Sequence, residues 1–255
     1  MLYFILLLLL LLNTISSYDE YIAIKSVNLT QCTYCNNFDI ADYVVENFGS
    51  LAIQGFDSET QTIFTAFRGS SNIYNWIEDI HVEHIYPYKN ESLSVETGFY
   101  KSYCYIKKML FENLYILSKQ YNTSDLLITG HSLGAAMSTL FAYDIIIYNA
   151  PFNIKHMYNF GSPRVGNTLF INDFNDNINN AYRVVHNNDI VASLPPKMFG
   201  YSHIKQGICY NENNTDYQIC NDDISCYMYN CSTNDHLIYL NITLGSEGCV
   251  YILKD

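Results

Sequence analysis

The stretch LLITGHSLGAAMSTL (residues 126–140) places Ser132 between two glycines, at the point where an apolar run ends and a helical stretch of small residues begins. A serine hydroxyl is a weak nucleophile unless a base takes its proton as it attacks. A GxSxG sequence supports that chemistry when it forms a sharp strand-to-helix turn that lifts the hydroxyl out of the sheet. The flanking glycines are then required, because such a turn leaves no room for a side chain on either side of the serine. The helix N-terminus adds partial positive charge beside a developing oxyanion. The alternative is a tight turn in which Ser132 merely caps the helix.

Activation calls for a histidine oriented by a carboxylate, in the chain order serine, acid, histidine. Asp189 fits the acid: it lies in HNNDI, just past the strand-like AYRVV and before Leu194-Pro195-Pro196. Asp173, Asp176, Asp222 and Asp223 fall in polar stretches read as loops and are expected to be surface charges. Of the seven histidines, His81 and His84 precede the serine, and His131 adjoins it and is read as structural. His156 breaks the chain order, and His186 shares a strand end with Asp189. His203 and His236 remain. His236, in TNDHLIYL, follows a long polar stretch and precedes an apolar one, as a catalytic loop would, and pattern favours it over His203.

These residues need a scaffold. Residues 61–67 (QTIFTAF), 126–129, 155–160 and 181–185 read as strands, and 98–120 and 133–147 as helices. In 98–120, Ile106, Leu110, Leu114 and Leu117 recur at helical spacing, and Cys104 is expected to be a buried thiol in that stripe. Alternating strands and helices predict an α/β fold with a largely parallel central sheet flanked by helices, whose functional loops gather at the strands' C-terminal ends. Ile73, Trp76, Ile77 and Ile80 lie on one face of a short helix within residues 72–80. On spacing alone, that face points to the core.

Thirteen basic against 25 acidic residues give a net charge of −12, which excludes the basic surface that nucleic-acid binding needs. Residues 2–12 form an unbroken apolar run, too short to span a bilayer but suited to a signal peptide, with residues 1–17 removed and 18–255 forming one domain. Six N-glycosylation sequons, at Asn28, Asn90, Asn122, Asn213, Asn230 and Asn241, and eight cysteines agree with a secreted, oxidised protein. Cys209, Cys220, Cys226 and Cys231 cluster, and disulfides are expected there over a zinc site, since the spacing lacks paired CxxC ligands. The mature chain is expected to be a monomer with no transmembrane segment, no metal and no cofactor.

GHSLGA (130–135), FRGSSNIYNWIEDI (67–80), FGSPRVGN (160–167), VVHNNDIVASLPP (184–196) and DHLIYL (235–240), in that register, resemble the class 3 lipases, secreted α/β-hydrolases that include fungal lipases and feruloyl esterases. The resemblance runs from about residue 31 to 249. It implies an α/β-hydrolase fold, Ser132 as nucleophile, Asp189 as triad acid and His236 as base. It also implies an oxyanion hole from the backbone N–H groups of Ser70 and Leu133. His203 matches a position outside the triad. Residues 72–80 match a lid, whose apolar face (Ile73, Trp76, Ile77, Ile80) a lipid surface would open, and point to a lipid ester at a lipid–water interface as substrate. One departure is Ala192, where the family usually has proline, which implies a less rigidly held Asp189. The family's habit of tying its N-terminal region to a late cysteine implies a bond from Cys249 to Cys35 or Cys32.

Overall fold

Strand β3 (Thr62–Phe67) is buried along its whole length, and its side chains divide by alternation between two cores. Ile63 and Phe67 pack on one face of the sheet, Phe64 and Ala66 on the other. A strand covered on both faces reads as a continuous apolar run, which is why QTIFTAF is legible without any polar alternation. The computed structural model describes residues 18–35, 38–78, 80, 82–220 and 230–250. His81, Asp222, Asp223, Cys226 and the leader at 1–17 therefore lie outside the described residues.

In chain order the elements are α1 (Glu20–Cys32), β1 (Tyr43–Asn47), β2 (Ser50–Asp57), β3, α2 (Ile73–Glu78), β4 (His84–Ile85), β5 (Val95–Glu96) and α3 (Thr97–Tyr121). After them come β6 (Asp125–His131), α4 (Leu133–Ile147), β7 (Asn153–Phe160), β8 (Gly166–Asn167), α5 (Thr168–Asn177) and β9 (Ala181–His186). The rest are β10 (Tyr201–Ser202), β11 (Gly207–Tyr210), β12 (Tyr217–Cys220), α6 (Thr233–His236), β13 (Ile238–Tyr239) and β14 (Ile242–Thr243). The main sheet has the order β1-β2-β3-β6-β7-β9-β11-β12. Its middle, β3-β6-β7-β9-β11, is parallel, and antiparallel strands finish both edges. Helices α3, α4 and α5 cover one face; α1 and the segment around β13 and β14 cover the other. This is the α/β fold with a largely parallel central sheet that the alternation of elements predicts, in the α/β-hydrolase arrangement that the resemblance implies.

Helix α3 buries Tyr103, Ile106, Leu110, Leu114 and Leu117. Its start is fixed by Glu96, whose carboxylate accepts from the Gly98 and Phe99 N–H groups at 2.9 and 2.6 Å. Cys104 corrects the expectation made for it: the thiol is exposed. Tyr103 and Ile106 define the buried stripe, and one residue past Tyr103 is about 100° round the helix, outside it. Helix α4 differs in being buried on all sides, from Gly134 to Ile145. Its one carboxylate, Asp144, is paired with Lys107 at 2.6 Å and accepts from the Tyr103 hydroxyl at 2.8 Å. Asp173 and Asp176 sit on α5, not in loops, and Asp173 accepts a hydrogen bond from the Tyr143 hydroxyl.

Cys35 is bonded to Cys249 and Cys209 to Cys220, and Cys231 is also disulfide-bonded. These three cysteines of the cluster are therefore not zinc ligands. Of the two N-terminal candidates for Cys249, Cys35 is the partner and Cys32 keeps its thiol.

Candidate active site

Ser132 links β6 to α4 with φ 57° and ψ −126°, a conformation an L-residue holds only where its surroundings force it. The forcing contacts are backbone to backbone. A Cβ on Gly130 would sit 2.4 Å from the Gly134 carbonyl oxygen, and one on Gly134 would sit 2.3 Å from that of Phe67. Both glycines are thus required for the end of β6, the first turn of α4 and the end of β3 to close on each other. The Ser132 N–H donates to the Phe160 carbonyl at 3.0 Å, while its side chain makes no capping bond to the helix. That removes the capping explanation of the serine.

Asp189 follows β9, and its carboxylate meets the imidazole of His236, with Nδ1 at 2.9 and 3.0 Å from the two oxygens. Two further groups hold the same carboxylate: the Val191 N–H donates at 2.8 Å, and the Tyr239 hydroxyl donates to Oδ2. Burial would raise the Asp189 pKa. The charge and hydrogen bond of His236, with the Tyr239 and Val191 donors, outweigh it and hold the carboxyl below its ordinary range. Nδ1 of His236 therefore donates its proton to Asp189, which leaves Nε2 with a free lone pair. Ser132 Oγ and His236 Nε2 are both buried and neither has a hydrogen-bond partner.

The turn that carries His236 is stitched to the loop that carries Asp189. The Ser232 hydroxyl caps α6 by accepting from the Asp235 N–H at 3.0 Å, and the Ser232 N–H donates to the Asn188 carbonyl at 2.8 Å. Asp235 Oδ2 accepts from Asn187 Nδ2 at 2.9 Å and the Asn188 N–H at 3.1 Å. His186 braces the same turn, its Nδ1 3.0 Å from the Asp235 carbonyl oxygen. On the opposite side, Gly161 (φ +55°) lets the chain pass under His236: a Cβ there would lie 2.7 Å from Cε1 and Nδ1 of the ring. The serine and the imidazole are thus anchored on adjacent residues, Ser132 through the Phe160 carbonyl and His236 over Gly161. Gly161→Ala should cut the rate of ester hydrolysis by about 100-fold by displacing the ring, as misplacement of a reacting group by about 1 Å does. Comparing kcat of this variant and the parent on a soluble ester checks it.

Of the other histidines, His203 is buried and donates from Nε2 to the Ala192 carbonyl at 2.7 Å, while the Asp189 carboxylate is bonded to His236. That bond ties the short 3-10 turn Val191–Ser193 to His203, and Asp189 accepts from three donors. His84 spans Ser94 Oγ and the Phe199 carbonyl, each at 2.8 Å. His156 is half-buried on β7. His131 bonds the His236 carbonyl through Nε2 at 2.8 Å. Tyr239, Tyr34 and Gly161 touch the site without having been anticipated.

Ser70 follows β3 and lines, with Ser132, a cavity of about 180 Å³. The Leu133 N–H opens α4, where helical N–H groups have no intrahelical partner. Helix α2 forms part of the cavity wall through Ile73 and Tyr74. Ile73 is 8% exposed, Trp76 stacks on Phe99 with ring centroids 6.0 Å apart, and Trp76 and Ile80 pack against the core. Asn72 caps this helix by accepting from the Asn75 N–H at 3.2 Å.

The sequence model of the family Lipase (class 3) matches residues 64–199, more than half of the chain. The chain belongs to the class 3 lipase family. A lipase of Rhizomucor miehei is 34% identical over 201 residues, covering 74% of this chain and 54% of that protein. A secreted mono- and diacylglycerol lipase of Penicillium cyclopium is 31% identical over 169 residues, 66% of this chain and 53% of that one. The chain thus spans about half the length of these relatives. Among solved structures, a triacylglycerol lipase described as having a serine protease triad as its catalytic centre superposes with a TM-score of 0.77. It is 28% identical, and the match covers 90% of this chain and 98% of that one. The Rhizomucor miehei lipase–propeptide complex gives a TM-score of 0.76 at 27% identity, over 90% of this chain and 83% of that one.

Proposed function

We propose that this class 3 lipase is a secreted serine hydrolase that cleaves carboxylic esters of lipids through an acyl-enzyme. What supports this is a strained, uncapped Ser132 held to Phe160 and, over the next residue Gly161, His236, whose Nδ1 bonds Asp189 and whose Nε2 is unbonded. His236 takes the Ser132 proton during attack on the ester carbonyl and returns it to the leaving alcohol; water then repeats the cycle on the acyl-enzyme. Asp189 fixes the imidazole tautomer and stabilises the imidazolium. The N–H groups of Ser70 and Leu133 receive the oxyanion, each such donor contributing about 2.7–4 kcal/mol to transition-state stability. The leader at residues 1–17, one mature domain, action as a monomer and glycosylation belong to the same proposal. All six sequon asparagines are exposed, which supports it. Among the described residues, no helix is long and apolar enough to cross a membrane.

Helix α2 is the lid. Its first turn walls the cavity, and Ser132 is only 1% exposed beneath it. Opening would bring Ile73 and Trp76 into solvent, and re-exposing a buried isoleucine costs about 1.5–3 kcal/mol in water. A lipid surface offsets that cost by receiving the same apolar face. The initial rate on tributyrin, followed through its solubility limit with Ser132→Ala as control, should therefore rise by about tenfold or more as droplets form. Ordinary saturation below the limit would identify a soluble-ester esterase instead. Activity on phosphatidylcholine vesicles but not on tributyrin would identify a phospholipase.

A further inference from the structure

Tyr34 stands one residue before the disulfide cysteine Cys35 and reaches into the cavity beside Ser132 and Ser70. Its hydroxyl lies 2.7 Å from His131 Nδ1 and 2.9 Å from the Gly69 nitrogen. The direction of every proton in this chain is fixed by chemistry. The His236 carbonyl can only accept, so His131 carries its proton on Nε2 and donates it there at 2.8 Å. Burial, reinforced by the neighbouring His236, pushes the His131 pKa well below its ordinary value, so the ring is neutral and Nδ1 is an acceptor. The Tyr34 O–H therefore donates to Nδ1, and its oxygen is left to accept the Gly69 N–H. Burial raises the Tyr34 pKa, which keeps the hydroxyl protonated for this role.

Gly69 immediately precedes Ser70, so holding its N–H fixes the Arg68–Gly69 peptide, one Cα before the peptide that carries the Ser70 N–H. The fit is close: a Cβ on Gly69 would lie 2.3 Å from the Tyr34 oxygen, 2.7 Å from the His131 carbonyl oxygen and 3.0 Å from Ser132 Cβ. The geometry points to Tyr34 as a positioning residue that, through His131, locks the oxyanion donor of Ser70 and the backbone of His236 to one common spacing. This rests on the serine-hydrolase function proposed above and adds residues that act through the backbone around Ser70 and His236. Neither transition-state charge nor proton transfer passes through the chain Gly69–Tyr34–His131–His236. It sets where the donor and the base stand before reaction, and the disulfide at Cys35 holds its outer end.

Tyr34→Phe tests this, because it keeps the ring and removes only the shared hydroxyl. Its kcat on a soluble p-nitrophenyl ester should fall about 30- to 100-fold, with KM changed by less than about threefold. Binding of an alkylboronic acid, which forms a tetrahedral adduct on Ser132 with an oxygen in the oxyanion position, should weaken by a similar factor. An unchanged kcat, or a loss confined to KM with boronate affinity intact, would overturn the assignment. Should Tyr34→Phe not fold, His131→Gln and His131→Leu decide. Glutamine can still donate to the His236 carbonyl and accept from Tyr34, and should retain about tenfold more activity than leucine; equal activity overturns the assignment. A parent protein that neither hydrolyses the ester nor binds the boronate overturns the hydrolase function as well. An active parent with an indifferent Tyr34→Phe overturns the positioning role alone.

Discussion

Ser132→Ala should abolish ester hydrolysis, lowering kcat by about 10⁵- to 10⁶-fold, with the fold intact. Ser132 Oγ makes no hydrogen bond, so its removal leaves no buried partner unsatisfied. Alanine inherits the same backbone strain, and the stability of the elbow should change little. His236→Ala should cost about as much, and the double variant no more than either single one, because the two groups act as one proton-transferring unit. Fluorophosphonate labelling followed by intact-mass measurement, beside rates on an ester emulsion, checks both statements. More than about one part in a thousand of residual activity in Ser132→Ala would place the nucleophile elsewhere.

Asp189→Asn should lower kcat by about 10⁴-fold while the site keeps its shape. The carboxylate accepts from His236 Nδ1, the Val191 N–H and the Tyr239 hydroxyl. An amide facing Nδ1 presents either an oxygen or an NH₂ group. The NH₂ orientation pushes the imidazole proton onto Nε2, where it blocks proton removal from Ser132. A second effect follows from the lowered pKa of Asp189. A carboxyl held below its unfolded value, about 3.9, stabilises the fold above that pH, and the contribution is lost as pH falls below it. Melting temperatures from pH 6 down to pH 3 should therefore decline more steeply in the parent protein than in Asp189→Asn. Parallel curves would mean that His236 and Tyr239 leave the Asp189 carboxyl at its ordinary value.

How much of this was legible beforehand depended on the range of the determining contacts. The elbow is local: strand, glycine, serine, glycine and helix follow one another within residues 126–147, so its chemistry could be read in one pass. Asp189 was marked by its place after a strand. Pattern left His203 and His236 in competition, and what separates them is the stitching of Ser232 and Asp235 onto Asn187 and Asn188, which no periodicity carries. Tyr34 and Tyr239 were invisible for a related reason. Their partners lie 97 and 50 residues away, and among 24 tyrosines neither stands out by type or spacing. Cys104 shows the limit of the helical period itself, which marks the centre of a buried stripe better than its edge.

The Cys35–Cys249 bond spans 214 residues and so turns nearly the whole described chain into a ring. In the chain-entropy account, closing a loop of that size stabilises the fold by on the order of 5 kcal/mol. It also changes what a peptide-bond cut can do. A nick at an exposed tip such as Phe48-Gly49 opens the ring without releasing a piece, because both halves stay tethered through the sulfurs. The last turn before Cys249 carries Gly245, Ser246 and Glu247 in the cavity wall, and it is anchored covalently to the helix end that presents Tyr34. Damage to the backbone and loss of the cavity wall thereby become separate events.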